Sequence, residues 1–113
     1  MRSISDFQEV SFGLVIGGKS LTAEQGLIRK MNILICTPGR LLQHLQDTVD
    51  FEYSNCKMVV IDEADEIIMM GFLNTITEII NYLPKNCQTM LFSATLSSKV
   101  LNLGKVALKV NSY

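Results

Sequence analysis

Met58-Val59-Val60-Ile61-Asp62-Glu63-Ala64-Asp65 is the stretch that decides the fold. A strand with one wet face alternates apolar and polar residues. A strand that is apolar at consecutive positions is covered on both faces, as in a parallel sheet. Acids at the tip of such a strand are costly unless something positive sits beside them. The pattern recurs along the chain. Val10–Ile16 precedes Gly17-Gly18, Ile33–Cys36 precedes Thr37-Pro38-Gly39-Arg40, and Thr89–Phe92 precedes Ser93-Ala94-Thr95. Between these runs lie helix-like stretches at Leu21–Lys30, Leu41–Gln46, Leu73–Leu83 and Lys99–Leu108; in the third, Ile76, Ile79, Ile80 and Leu83 recur at helical spacing. Strand–helix alternation predicts βαβ units and an α/β fold: an open, doubly wound, mostly parallel sheet with helices on both faces. In such sheets the chemistry sits at the carboxyl ends of the strands, so the short segments after each run are the candidate functional residues.

Bulk properties narrow the classes. At 113 residues the chain predicts a single domain, and 48% apolar with 19% charged residues predicts a folded chain, not a disordered one. No apolar run approaches the roughly 20 residues of a membrane helix, and Met1–Asp6 lacks the apolar stretch of a secretory signal. These features predict an intracellular protein with no membrane partner. A net charge of −1 gives no general basic footprint for nucleic acid. A site made of backbone amides and one or two cations needs none, but it binds weakly alone. Cys36, Cys56 and Cys87 are widely spaced and read as reduced, buried thiols. His44 is the only histidine, too few for a histidine metal site.

Each strand-end segment carries two readings. Asp62 can face a hydrated Mg²⁺ held against nucleotide phosphates, with Glu63 aligning and deprotonating a water; alternatively Asp62 or Asp65 caps the helix that follows. The Ser93 and Thr95 hydroxyls can bond a carboxylate on a neighbouring strand end, Asp65 being the candidate; alternatively they are an ordinary N-cap. Thr37 at N-cap and Pro38 at N1 make a helix start, which is an anion site to which Arg40 adds charge; alternatively this is a capped helix with a solvated arginine. Gly17-Gly18 permits a tight turn and a close backbone approach, or is a plain turn. Gly13 to Ser20 also matches the P-loop pattern letter for letter. Leu14, Val15 and Ile16, however, belong inside a strand, and a strand pairing its amides cannot wrap a phosphate with them. Were the loop genuine, Lys19 would reach the β/γ-phosphates and Ser20 the Mg²⁺.

Gly-Gly, Thr-Pro-Gly-Arg, Asp-Glu-Ala-Asp and Ser-Ala-Thr, in this order and approximate spacing, resemble the DEAD-box ATP-dependent RNA helicases; Gly71-Phe72, Pro84 and Gln88–Phe92 add family-like residues between them. The resemblance implies part of the first RecA-like domain, working with ATP and Mg²⁺. It implies that Asp62 holds Mg²⁺ through water and that Glu63 activates the attacking water. It implies that Asp65 bonds Ser93 and Thr95, linking the ATP site to the RNA-binding state. Thr37, Pro38, Gly39 and Arg40 would grip RNA phosphates independently of sequence, with Gly17 and Gly18 on the same backbone track, so the doublet is not a P-loop. Asn32–Asp50, with Leu41-Leu42-Gln43-His44-Leu45, is similar to nucleolar members that act in ribosome assembly, which implies the nucleus or nucleolus, with cytoplasm as the alternative. Glu66 and Met69 depart from the common pattern of Arg and Asp. The family's glutamine region, true P-loop and first RNA-contact motif are expected before Met1, and a second RecA-like domain with its arginine finger after Tyr113. The parent is thus expected to couple ATP hydrolysis to RNA binding and duplex unwinding. This stretch alone is expected to be inactive and prone to self-association through exposed sheet edges. The rival readings are a non-catalytic truncated fragment or RNA-docking module, and a compact P-loop NTPase using Lys19.

Overall fold

Strands and helices alternate in the computed structural model, which describes residues 12–15, 21–28 and 32–108. The chain divides into two compact units, Met1–Glu52 and Tyr53–Tyr113.

The first unit is a βαβα run. Strands β1 (Phe12–Val15) and β2 (Ile33–Cys36) pair in parallel, with Phe12 opposite Ile33 and Val15 opposite Cys36, and are joined through helix α1 (Leu21–Ile28). Helix α2 (Pro38–Asp47) follows at once. It begins at Pro38 as the Thr37-Pro38 pair predicts, because proline at N1 has its φ preset and needs no amide partner there. Ile28 and Leu45 are buried in this unit, as are Glu24, His44 and Thr48.

The second unit is a βααβα run. Strands β3 (Met58–Ile61) and β4 (Gln88–Leu91) pair in parallel, Met58 opposite Gln88 and Ile61 opposite Leu91. Helices α3 (Ala64–Met69) and α4 (Leu73–Tyr82) cross between them, and α5 (Ser98–Ala107) closes the unit. Helix α3 lacks a periodic apolar stripe and ends in a Schellman motif: Phe72 N–H bonds Ile67 O at 3.0 Å and Gly71 N–H bonds Ile68 O at 3.0 Å. Gly71 sits there at φ 89°, a conformation glycine adopts without penalty. The buried core collects Ile61, Ala64, Ile76, Ile79, Ile80, Cys87, Val100, Leu103 and Ala107. Packing on β3 and β4 is one-sided: Ile61 is buried, while Met58, Val60, Met90 and Phe92 on the alternate positions are exposed. Within this unit α5 packs toward Leu91.

Candidate functional site

The tips of β3 and β4 are tied before any side chain acts. Phe92 N–H bonds Ile61 O at 2.8 Å, and Ala64 N–H bonds Phe92 O at 3.0 Å. These bonds bring the two motifs that follow the strands onto one edge. An open pocket of about 380 Å³ lies there, lined by Asp62, Glu63, Asp65, Glu66, Phe92, Ser93 and Ala94.

A bonded latch joins the motifs. The Thr95 hydroxyl donates to Asp65 Oδ2 at 3.2 Å. Ser93 Oγ accepts from the Asp65 backbone amide at 3.2 Å and donates to Thr95 O at 2.9 Å. Ser93 therefore holds the backbone of Asp65, and Thr95 holds its carboxylate. The Asp65 carboxyl lies below its ordinary value. Desolvation, the largest single influence, acts to raise it, and is outweighed by the summed hydrogen bonds, led by those from the Glu66 amide and the Thr95 hydroxyl. Neither hydroxyl is a helix cap. That position belongs to Ser97, whose Oγ accepts from Val100 N–H at 3.3 Å.

The acids are not caps either. Asp62 Oδ1 accepts from the adjacent Glu63 amide at 2.9 Å, and the N-cap residue of α3 is Glu63, whose side chain makes no capping bond. Glu63 instead occupies the left-handed region at φ 54°, ψ 49°. A non-glycine residue there is strained by about 1–2 kcal/mol, and such strain gathers at functional sites. Glu63 is exposed and lines the pocket together with Asp62 and Asp65. Nothing in the local sequence signals this backbone conformation. Glu66, Phe92 and Ala94 also line the pocket, and only their adjacency to the motifs could have found them.

The other candidate segment opens α2. Thr37 is the N-cap residue in extended conformation, and its carbonyl accepts from Leu41 N–H at 3.0 Å. Its side chain makes no capping bond, and Thr37 and Gly39 are exposed. An α-helix leaves its first-turn amides without internal acceptors, so this start can receive an anion. Arg40 is not the solvated cation expected of a plain helix start. Its side chain is 9% exposed, with Nε 3.3 Å from Glu24 Oε1 and Nη1 3.1 Å from Gln43 Oε1. Glu24 Oε1 also lies 2.9 Å from His44 Nε2, and His44 Nδ1 lies 2.6 Å from Thr48 Oγ1. Sequence reading missed this cluster because its members lie up to 24 residues apart, on two helices and the C-cap of the second. Gly17, Gly18, Lys19 and Ser20 fall outside the described residues. Gly13, Leu14 and Val15 of the P-loop-like octet lie in β1 with their backbone in a parallel ladder, which is incompatible with a phosphate-wrapping loop at those positions.

Among the described residues no three histidine, cysteine or acidic side chains form a metal cage, and no helix is long and apolar enough to cross a membrane.

An α/β chain with an acidic strand tip latched to a neighbouring Ser-Ala-Thr tip defines a helicase-type core, and the chain belongs to the DEAD/DEAH box helicase family, whose family model matches residues 1–103. Its relatives include ATP-dependent RNA helicase dbp4 of Aspergillus terreus, 52% identical over all 113 residues, and DBP4 of Coccidioides immitis, 50% identical over the same span. The chain covers 14% of the length of each. Among solved structures it is similar to a DEAD box protein from Methanococcus jannaschii, with TM-score 0.82 and 31% identity over 95% of this chain and 31% of that one. A hypothetical ATP-dependent RNA helicase from Sulfolobus tokodaii matches with TM-score 0.82 and 32% identity over 92% of this chain and 31% of that one.

Proposed function

We propose that the protein carrying this chain is an ATP-dependent RNA helicase, and that these residues supply part of its first RecA-like domain. The Thr95–Asp65–Ser93 latch beside the strained Glu63 carries this reading. It fixes an acidic tip next to an open pocket and ties that tip to the adjacent strand, so a change at one is felt at the other. Glu63 is positioned as the general base toward water, and Asp65, Ser93 and Thr95 connect nucleotide state to RNA state.

The site suits Mg²⁺ in one particular way. A caged cation does not fit, since no three-ligand cluster exists among the described residues. A hydrated ion that keeps its waters and meets one carboxylate and the nucleotide phosphates does fit. Asp62, exposed at the strand tip with Oδ1 on the Glu63 amide, would hold it through water. When bound, the ion neutralises charge developing on the phosphates. Phosphoryl transfer relies on several parts at once. A chain covering 14% of its relatives supplies some of them, and by itself it turns over little ATP.

RNA phosphates would lie at the start of α2, on Thr37, Gly39 and Arg40 with Pro38 presetting the turn, and on Gly17 and Gly18. These contacts position RNA without reading its sequence. The similarity of Asn32–Asp50 to nucleolar ribosome-assembly members supports a place in that process, which the location of tagged full-length protein would test. The strand conformation of Gly13–Val15 weighs against an NTPase built on Lys19.

Glu63→Gln in the full-length protein tests the central reading. RNA-stimulated ATP hydrolysis is expected to fall by about 10²–10⁴, the usual weight of a general base, with ATP binding retained. Turnover at the wild-type rate would remove Glu63 from the mechanism.

A further inference from the structure

We infer that a buried relay of Glu24, His44 and Thr48 holds Arg40 in reserve, and that Arg40 grips an RNA phosphate by leaving Glu24 as His44 takes up a proton. This rests on the proposed phosphate role of the α2 start.

The side chains of Arg40 and Glu24 are 9% and 5% exposed. A guanidinium buried to that extent presents little to a ligand arriving from solvent, so gripping a phosphate requires it to turn outward. Turning outward strips Glu24 of its cation. That carboxylate is already under-satisfied: among the described residues Oε2 is buried with no hydrogen-bond partner, and Oε1 carries both Arg40 and His44. A buried carboxylate abandoned by its cation is strongly unfavourable. Glu24 therefore competes with phosphate for Arg40, and it needs a substitute when it loses.

His44 is built to be that substitute. It is fully buried, with Nε2 2.9 Å from Glu24 Oε1 and Nδ1 2.6 Å from Thr48 Oγ1. An ionised carboxylate only accepts, so Nε2 carries the proton toward Glu24. Nδ1 faces a hydroxyl, which can turn. The Thr48 hydroxyl donates to Nδ1 of a neutral ring and accepts from N–H of a charged one. Both charge states are thus satisfied with no heavy atom moving. When Arg40 swings to a phosphate, a proton from solvent on Nδ1 restores the positive charge beside Glu24, and the buried cluster keeps its net charge. Among the described residues the partners the His44 ring shows are Glu24 and Thr48, and Asp47 on the same helix is exposed. Glu24 comes from α1 and Arg40 from α2 itself, and the only titratable group on β1 and β2 is Cys36, whose thiol burial pushes up to about 11 and so keeps protonated.

The test measures binding of a single-stranded RNA of mixed sequence to the full-length protein. In the wild type, affinity is expected to rise as pH falls. Calorimetry in two buffers of different ionisation heat is expected to show net proton uptake. Glu24→Gln is expected to tighten RNA binding on the order of fivefold, the equilibrium weight of one modest ion pair, and to abolish proton uptake. His44→Gln is expected to flatten the pH profile. In an Arg40→Ala background, Glu24→Gln is expected to give no gain, which a merely structural role for Glu24 would not produce. RNA binding by the wild type without proton exchange would overturn the relay, with no variant required. So would a Glu24→Gln protein that binds RNA no more tightly, or a gain that survives loss of Arg40. Wild-type affinity in Arg40→Ala would instead strike at the phosphate role itself.

Discussion

Replacing Glu63 by glycine should stabilise the protein locally while destroying its hydrolysis. Glu63 sits at φ 54°, ψ 49°, where an L side chain is disfavoured by about 1–2 kcal/mol. Its side chain makes no capping bond to α3, so truncation removes no helix-supporting contact. Alanine at 63 keeps the strain; glycine relieves it but loses about 0.5–1 kcal/mol of chain entropy on folding. The Glu63→Gly protein should therefore exceed Glu63→Ala by about 0.5–1 kcal/mol, in the same direction as glycine's ordinary advantage over alanine at an N-cap. Amide hydrogen exchange of α3 and β4 in the full-length protein reads this difference, since it reports local opening where a multidomain unfolding midpoint does not. Both variants should lose hydrolysis alike. If glycine proves equal to or less stable than alanine, the left-handed conformation is not strained and its link to function falls. If either variant hydrolyses ATP at the wild-type rate, Glu63 is not the base.

Gly104 lies inside α5, and a Cβ added there would meet the Leu91 Cδ2 at 3.6 Å, an ordinary contact. Gly104→Ala should stabilise α5 by about 0.5–1 kcal/mol, seen as slower amide exchange; faster exchange would mean the α5–β4 contact is tighter than it looks. Asp65, with its carboxyl below the usual range, contributes stability that is fully present above the ordinary carboxylate value of about 4 and is lost as pH falls through its lower folded value. The stability gap between wild type and Thr95→Ala should therefore close in acid below about pH 4, and a gap unchanged at low pH would mean that the hydroxyl–carboxylate bond is not what Thr95 contributes. Burial pushes Cys36 from 9.0 to about 11, so near pH 8 iodoacetamide should modify it about a hundredfold more slowly than an unhindered peptide cysteine. Modification at the peptide's rate would show that thiol to be open.

What the sequence made legible is what short-range chemistry controls. Ile33–Cys36 and Met58–Ile61 form strands on the expected residues, because β-branched runs bounded by Thr-Pro-Gly or by acids have no good helical alternative. Helix α4 follows from the spacing of Ile76, Ile79 and Ile80. The convergence of Asp65 with Thr95 was legible only through order: parallel strands joined by crossovers put their carboxyl ends on one edge. The remainder depended on partners far off in sequence. The left-handed turn at Glu63 is set where Ala64 must reach Phe92 O, a bond to the next strand that no local pattern encodes. Cys56 and Cys87 read as isolated thiols, yet they stand 3.7 Å apart because each precedes one of the paired strands β3 and β4.

Arg40 shows why this division matters for function. Thr-Pro-Gly-Arg identifies a helix start with a cation, and from that alone the arginine belongs to the ligand. Only the packing of α1 against that cation, through Glu24, shows that the charge already has an owner. The motif therefore specifies which groups are available, and the buried neighbours set the conditions under which they act. Two chains with the same four letters, one with a buried carboxylate behind the arginine and one without, should differ in RNA affinity and in its pH dependence even though the phosphate-facing residues are the same.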